Sequence, residues 1–235
     1  MANNTVSVDT VYQKVLALAN KEQRGYITPQ EFNLFASQAQ LEIFENYFHD
    51  LKTAQLKPKN HTESGDEINI LNERISLHKV TGTTLTRNSD TGFHPLSSSI
   101  YILTSVYTDS GISIEEVEAN QLRQMNLNPL LKPTANRPVF VRNSSNKIEI
   151  SGISANCKID FIQKPTDPKW TYVVISGKAL YNSNASDAAD FDLHESEENN
   201  LVMRILELSG ITLADPNLVQ LAMRDKANTK AEKNN

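Results

Sequence analysis

Apolar residues recur along the first part of the chain at the three- and four-residue spacing of a helix face. Val8, Val11, Val15 and Leu18 form one seam, widened by Tyr12, Leu16 and Ala19, and Gly25 is placed to stop it. The pattern predicts a first helix from about residue 9 to just before Gly25. A second begins at Thr28-Pro29-Gln30-Glu31. Thr28 suits the N-cap, Pro29 the first helical position, and Glu31 the reach back to the cap. This helix is expected to run to about Asp50, and it carries two apolar stripes. Phe32, Phe35, Ala36, Ala39, Ile43 and Tyr47 make the first; Leu34, Leu41, Phe44, Phe48 and Leu51 make the second. At about 100° per residue the stripes lie roughly 130° apart. Both require burial, so the helix is expected to have neighbours on two sides, its own fold on one and a partner chain on the other.

Beyond a polar loop over 53–66, the periodicity changes. Residues 67–180 read mainly as strands, over 68–75, 100–107, 113–117, 139–142, 147–150, 157–163 and 171–175. Asn143-Ser144-Ser145-Asn146 reads as a hairpin loop, and Lys164-Pro165-Thr166-Asp167-Pro168 as a break. A short helix is expected over 120–125. Helix returns after Phe191, where Asp192-Leu193-His194-Glu195 reads as a capping box with Asp192 as the cap. Leu201, Val202, Ile205, Leu206 and Leu208 give its apolar face, and Gly210 its stop. A last helix is expected from Asp215-Pro216, followed by a polar tail from Lys226 that orders on a partner. The fold class is therefore α+β. Helices from 1–52 and 190–235 pack together as one domain, and a β-rich, sandwich- or barrel-like insertion occupies 67–180.

Composition narrows the functions. The chain has 235 residues and a net charge of −5, so a dedicated nucleic-acid binder is disfavoured. The single cysteine, Cys157, allows no internal disulfide, and its alternating strand setting reads as a buried structural thiol. No apolar run approaches the ~18 residues of a membrane span, so no membrane partner is expected.

Candidate chemistry is sparse. The five histidines show no ligand spacing, and His194 beside Glu195, Glu197 and Glu198 reads as a helix start rich in acids rather than a metal site. No glycine-rich phosphate loop and no nucleophile elbow is present. Glu115, Glu116 and Glu118 read as a solvated strand edge. Trp170 reads as core, with exposure for stacking on a sugar or base as the alternative. The expectation is no catalytic residue, no cofactor and no metal.

Four segments taken in order resemble a known group. They are 11–33, which includes Gly25-Tyr26-Ile27-Thr28-Pro29-Gln30-Glu31-Phe32; Asn128-Pro129-Leu130 with Pro133-Thr134 and Pro138-Val139-Phe140-Val141; Lys164-Pro165 with Pro168-Lys169-Trp170; and Phe191-Asp192-Leu193-His194-Glu195-Ser196-Glu197-Glu198 with Ile205-Leu206-Glu207-Leu208-Ser209-Gly210-Ile211. Together they resemble head–tail connector or ring (adaptor) proteins of short-tailed phages, the crAss-like gut phages and their aquatic relatives among them. Those relatives often have proline after the histidine of the fourth segment; here Glu195 stands there.

The resemblance implies a structural virion protein made in the host bacterial cytoplasm and placed at the head–tail junction. It implies a homo-oligomeric ring, a dodecamer, below the portal protein and against adjacent ring or tail proteins. Double-stranded DNA would pass through transiently without specific binding. Leu34, Leu41, Phe44 and Phe48, with Leu218, Leu221, Met223 and Arg224, are the candidate subunit or portal interface. The alternatives are another tail-hub or cargo virion protein, or a β-domain that grips a glycan or receptor through Trp170, Tyr101 or Tyr107.

Overall fold

The computed structural model describes residues 5–21, 27–56, 62–144 and 146–210. In chain order the described elements are β1 (Thr5–Val6), α1 (Val8–Lys21), α2 (Pro29–Leu56), α3 (Thr62–Ser76), β2 (Lys79–Leu85), β3 (His94–Pro95), β4 (Ile100–Thr108), β5 (Glu115–Glu116), α4 (Ala119–Leu127), β6 (Val139–Ser144), β7 (Lys147–Ser151), β8 (Cys157–Gln163), β9 (Tyr172–Ile175), β10 (Lys178–Tyr181), β11 (Phe191–His194) and α5 (Glu198–Leu208). The chain divides into two compact units, Met1–Leu77 with Pro165–Asn235, and His78–Lys164. It is an α+β protein with helices toward both ends and a β-rich middle.

The first unit is organised around α5, whose Leu201, Val202, Ile205 and Leu206 are buried against α1 and α2. From α1 come Val8, Val11, Tyr12, Val15 and Ala19, the face that the sequence periodicity marks. Strand β1 pairs antiparallel with β11, so the two ends of the described chain are tied by backbone as well as by side chains. Gln40 is 2% exposed and acts as a clamp: its Nε2 donates to the Thr166 carbonyl at 2.7 Å, and its Oε1 accepts from the Asp192 amide at 2.8 Å. A buried amide with both ends satisfied fixes the geometry around it.

The α2 start follows the expected capping box. Glu31 Oε2 accepts from the Thr28 amide at 2.9 Å and from the Thr28 hydroxyl at 2.7 Å. The helix runs to Leu56, past the expected stop near Asp50, and its second stripe is mostly consumed inside the chain. Phe44 is fully buried and meets Phe48 edge-on; Leu41, Phe48 and Leu51 are half-buried; Leu34 alone stays well exposed, at 71%. Phe44 is therefore a core residue and not part of an interface. α3, α5 and β11 pack against α2, and Tyr12 of α1 meets Phe32 edge-on.

Three further expectations are corrected. Residues 68–75 are helical, within α3, because Leu71 and Ile75, four apart, are the pair that buries. Asp192 is not a cap: it lies in β11, and its carboxylate accepts from the Thr166 amide at 2.7 Å. His194 caps instead, its Nδ1 accepting from the Ser196 amide at 3.2 Å, and a 3₁₀ turn over Glu195–Glu197 leads into α5. Finally, the β-rich unit spans 78–164 rather than 67–180, since 165–189 belongs with the helices. The expected helix from Asp215, the Gly25 stop and the polar tail lie outside the described residues.

The second unit holds two sheets. One has the order β2-β8-β4, all antiparallel. The other has the order β3-β7-β6-β5, with β5 parallel to β6. Leu85, Val106, Cys157, Ile159 and Phe161 of the first sheet share one core with Phe140, Ile148 and Ile150 of the second. The layering is that of a sandwich, and the sheets do not close into a barrel. The register of β2 shifts between Val80 and Thr83, where Gly82 takes a φ of +71°. Asp160 collects the displaced groups: Oδ1 accepts from the Gly82 amide at 2.9 Å and the Tyr107 hydroxyl at 3.1 Å, and Oδ2 from Ser105 at 2.8 Å. The Gly82 amide, helped by Ser105 and Tyr107, holds the Asp160 carboxyl below its ordinary value.

Candidate functional site

The first unit has a cleft of about 420 Å³ lined by α2, α5 and the end of α3. Arg74 Nη1 lies 2.6 Å from Glu197 Oε1, and Glu197 is 2% exposed. Asn200 donates to the other Glu197 oxygen. Arg74 also stands over the Tyr47 ring, 5.8 Å from its centre. Tyr47 is 4% exposed; its hydroxyl makes no well-formed hydrogen bond, although it lies beside Glu197. Burial, then the Glu197 charge, pushes this phenol far above its ordinary value, so it stays protonated at any physiological pH. Across the cleft, Arg204 pairs with Glu42 and, at 2.8 Å, with Glu207.

This arrangement is built to neutralise itself. Each arginine faces acids of the same chain, and the one buried hydroxyl is held in its unreactive form. The Tyr47 hydroxyl is therefore not an activated nucleophile. Among the described residues no group of three histidine, cysteine or acidic side chains is placed to hold a metal ion. A second cleft of about 450 Å³ lies in the β-rich unit, beside Glu116, Glu118 and Arg142. Arg142 Nε is 3.4 Å from Glu116, and both Glu115 and Glu116 are exposed, as a solvated strand edge requires.

No family model matches this chain, and no curated protein is similar to it in sequence. The function has to be read from the surfaces that the fold leaves open.

Trp170 is not one of them. It is 2% exposed, its indole N–H donates to Asp9 at 2.9 Å, and its backbone is held at both ends by the Asn33 side chain. Tyr12 lies against it, with ring centres 4.1 Å apart. The face of Trp170 is spent inside the protein, as the core reading of the sequence expects. Tyr172 and Tyr181, directly opposite each other in the β9–β10 hairpin, stack on it at 5.7 Å each. From this aromatic base the hairpin extends as an isolated two-stranded ribbon. Val173, Val174, Ile175 and Leu180 are 44–65% exposed on it. Ser176 and Gly177, at φ of 51° and 78°, form the tight turn at its tip.

Sequence reasoning missed this arm. It placed a strand over 171–175 but no partner strand. The signal present was Ser176-Gly177 between two apolar runs. Of the expected interface residues, Leu34 is exposed, Leu41 and Phe48 are half-buried, Phe44 is buried, and Leu218, Leu221, Met223 and Arg224 lie outside the described residues. Cys157 is buried as expected; burial, then nearby Asp109, pushes its thiol up to about 11. Among the described residues no helix is long and apolar enough to cross a membrane.

Proposed function

We propose that this chain is a structural, non-enzymatic subunit of a phage particle, one of a ring of identical copies at the head–tail junction. In this reading the ring is twelvefold and sits below the portal. It lengthens the DNA channel and joins the portal to adjacent ring or tail proteins. The observation that carries the reading is where apolar side chains are left uncovered. They lie on the β9–β10 hairpin, on α2 at Leu34 and Leu56, and at Leu127, Leu130 and Leu131 of the β-rich unit. Uncovered apolar surface of that kind belongs to chains that meet other chains. The cleft adds support, since its arginines and acids are spent on one another. The resemblance of the four sequence segments supports the particle and the position within it. Net charge of −5 suits a channel wall that releases DNA, because tight binding needs cations to replace phosphate counterions.

Quantitative mass spectrometry of purified particles tests the proposal by counting this chain against the major capsid protein. About a dozen copies per particle is the expected result for one closed ring. Many more copies would move the chain to the shell or the ejected cargo. Absence from the particle would overturn the reading.

A further inference from the structure

Two surfaces of the β-rich unit lie at the two ends of α4. The first is the turn that follows the helix. Leu127 and Leu130 are 84% and 91% exposed, and Leu131 beside them is 43% exposed. The turn is nonetheless firmly built. Asn128 Oδ1 accepts from the Leu130 amide at 3.0 Å, and the Asn128 carbonyl accepts from the Leu131 and Lys132 amides, each at 3.0 Å. Pro129 and Pro133 fix the backbone on both sides of the leucines. Thr134 and Arg137 then close on each other by two backbone hydrogen bonds, and a Cβ on Gly152 would stand 2.7 Å from the Thr134 carbonyl oxygen. Leucines shown to water on so ordered a turn are set for contact, since little backbone freedom is left to lose when they are covered.

The second surface is the cleft of about 450 Å³ at the start of α4. Its apolar part is Val117 and Val141, which belong to the small core under the helix. Glu116 and Glu118 line it and are exposed. Arg142 answers Glu116 at 3.4 Å. Glu118 makes no ion pair among the described residues, and its side chain makes no cap bond to α4. Charge says which surface answers which. Residues 119–148 hold five of the chain's 23 lysines and arginines and none of its 28 acids. Among these five, Lys132 sits in the leucine turn and makes no ion pair among the described residues. The rest of the chain carries 18 cations against 28 acids, so two copies repel over most of their surfaces. The acid-free stretch is where one copy can approach another, and the surface it fits is apolar with an unanswered acid beside it.

We propose that the leucine turn of one copy docks in the α4 cleft of a second copy of this chain, with Leu130 on Val117 and Val141 and Lys132 beside Glu118. A second copy is the occupant because each half carries the charge that the other lacks, and one chain supplies both. The halves sit at opposite ends of α4, about 12 Å apart along the helix. A copy can therefore give its turn to one neighbour and its cleft to another. Head-to-tail contacts of this kind close into a ring when the rotation between neighbours allows it. The inference rests on the ring reading and names a contact between neighbours. One turn in one cleft is a small contact, so each pairwise step is weak, with a Kd on the order of micromolar or above.

The test uses the full chain and reads its mass by analytical ultracentrifugation at concentrations up to about 500 μM, enough to populate a weak pair. The mass of the wild-type chain is expected to rise with concentration. Leu130→Asp is expected to weaken association at least about tenfold, the worth of one buried leucine. Its melting temperature should not change, because the side chain is open to water in the single chain. Lys132→Glu and Glu118→Lys are each expected to weaken association about fivefold, and the double exchange to restore it, which no folding defect can imitate. A wild-type chain that stays monomeric over that range, a Leu130→Asp chain that associates as before, or a double exchange that restores nothing would overturn the contact. Rings that survive Leu130→Asp would sink the contact and leave the ring reading standing. A closed dimer abolished by Leu130→Asp would keep the contact and sink the ring.

Discussion

His94 sits at 0% exposure in β3, with Nε2 3.3 Å from the Ala155 carbonyl and Nδ1 without a hydrogen-bond partner. The carbonyl can only accept, so Nε2 carries a proton, and burial favours the neutral form of the ring. Burial lowers its pKa from 6.5; the Ala155 contact opposes that shift, and the positive charge of Arg87 adds to it. The sign follows from proton counting. Below pH 6.5 the unfolded chain takes up a proton that the folded ring resists, so stability falls with pH through that window. Urea unfolding at about pH 7.5 and about pH 5.5 should show the loss, and His94→Gln should flatten it. Equal slopes in the two proteins would remove His94 as the cause. Burial shifts Cys157 in the opposite direction. Its thiol is pushed up to about 11 and buried, so it is a packing group in the folded chain.

At the scale of elements, the arm separates packing from exposure within ten residues. Trp170 at its base is buried, donates to Asp9 and carries Tyr172 and Tyr181. Trp170→Ala removes that volume and leaves Asp9 without its donor, so it should cost about 3–5 kcal/mol in urea unfolding. Ile175→Asp at the tip of the same arm should change monomer stability by less than about 0.5 kcal/mol. If both variants lost similar stability, the tip would be part of the core. The arm also shows what a sequence exposes and what it hides. Strand β8 was legible because Cys157, Ile159 and Phe161 alternate with half-exposed Lys158 and Asp160, one buried face and one open face. The capping box before α2 was legible because it is made within four residues. Strand β2 was not: Lys79-Val80-Thr81-Gly82-Thr83-Thr84 is mostly exposed, and its place comes from Asp160, far along the chain. Helix α3 was misread because apolar residues at 68, 70, 71 and 75 fit both periods, and only the packing of Leu71 and Ile75 decides. The cleft was hidden for a related reason. Arg74, Tyr47 and Glu197 come from three elements, and nothing local links them.

The β-rich unit is one continuous stretch, 78–164, between the two stretches of chain that make the helical unit. The β-rich unit opens and closes on neighbouring strands: Lys79 pairs with Ile162, and the Gln163 amide donates to the His78 carbonyl at 2.8 Å. Its two ends therefore leave side by side. A chain that enters and leaves a domain at one point can lose that domain without stretching what remains. Replacing 78–164 by a short glycine linker should leave the helical unit folded, because the β1–β11 pair, the Gln40 clamp and the Trp170 base all lie outside the deletion. Circular dichroism should show a helical, cooperatively melting product. A product that melts without cooperativity would show that the helical unit needs the β-rich one to fold.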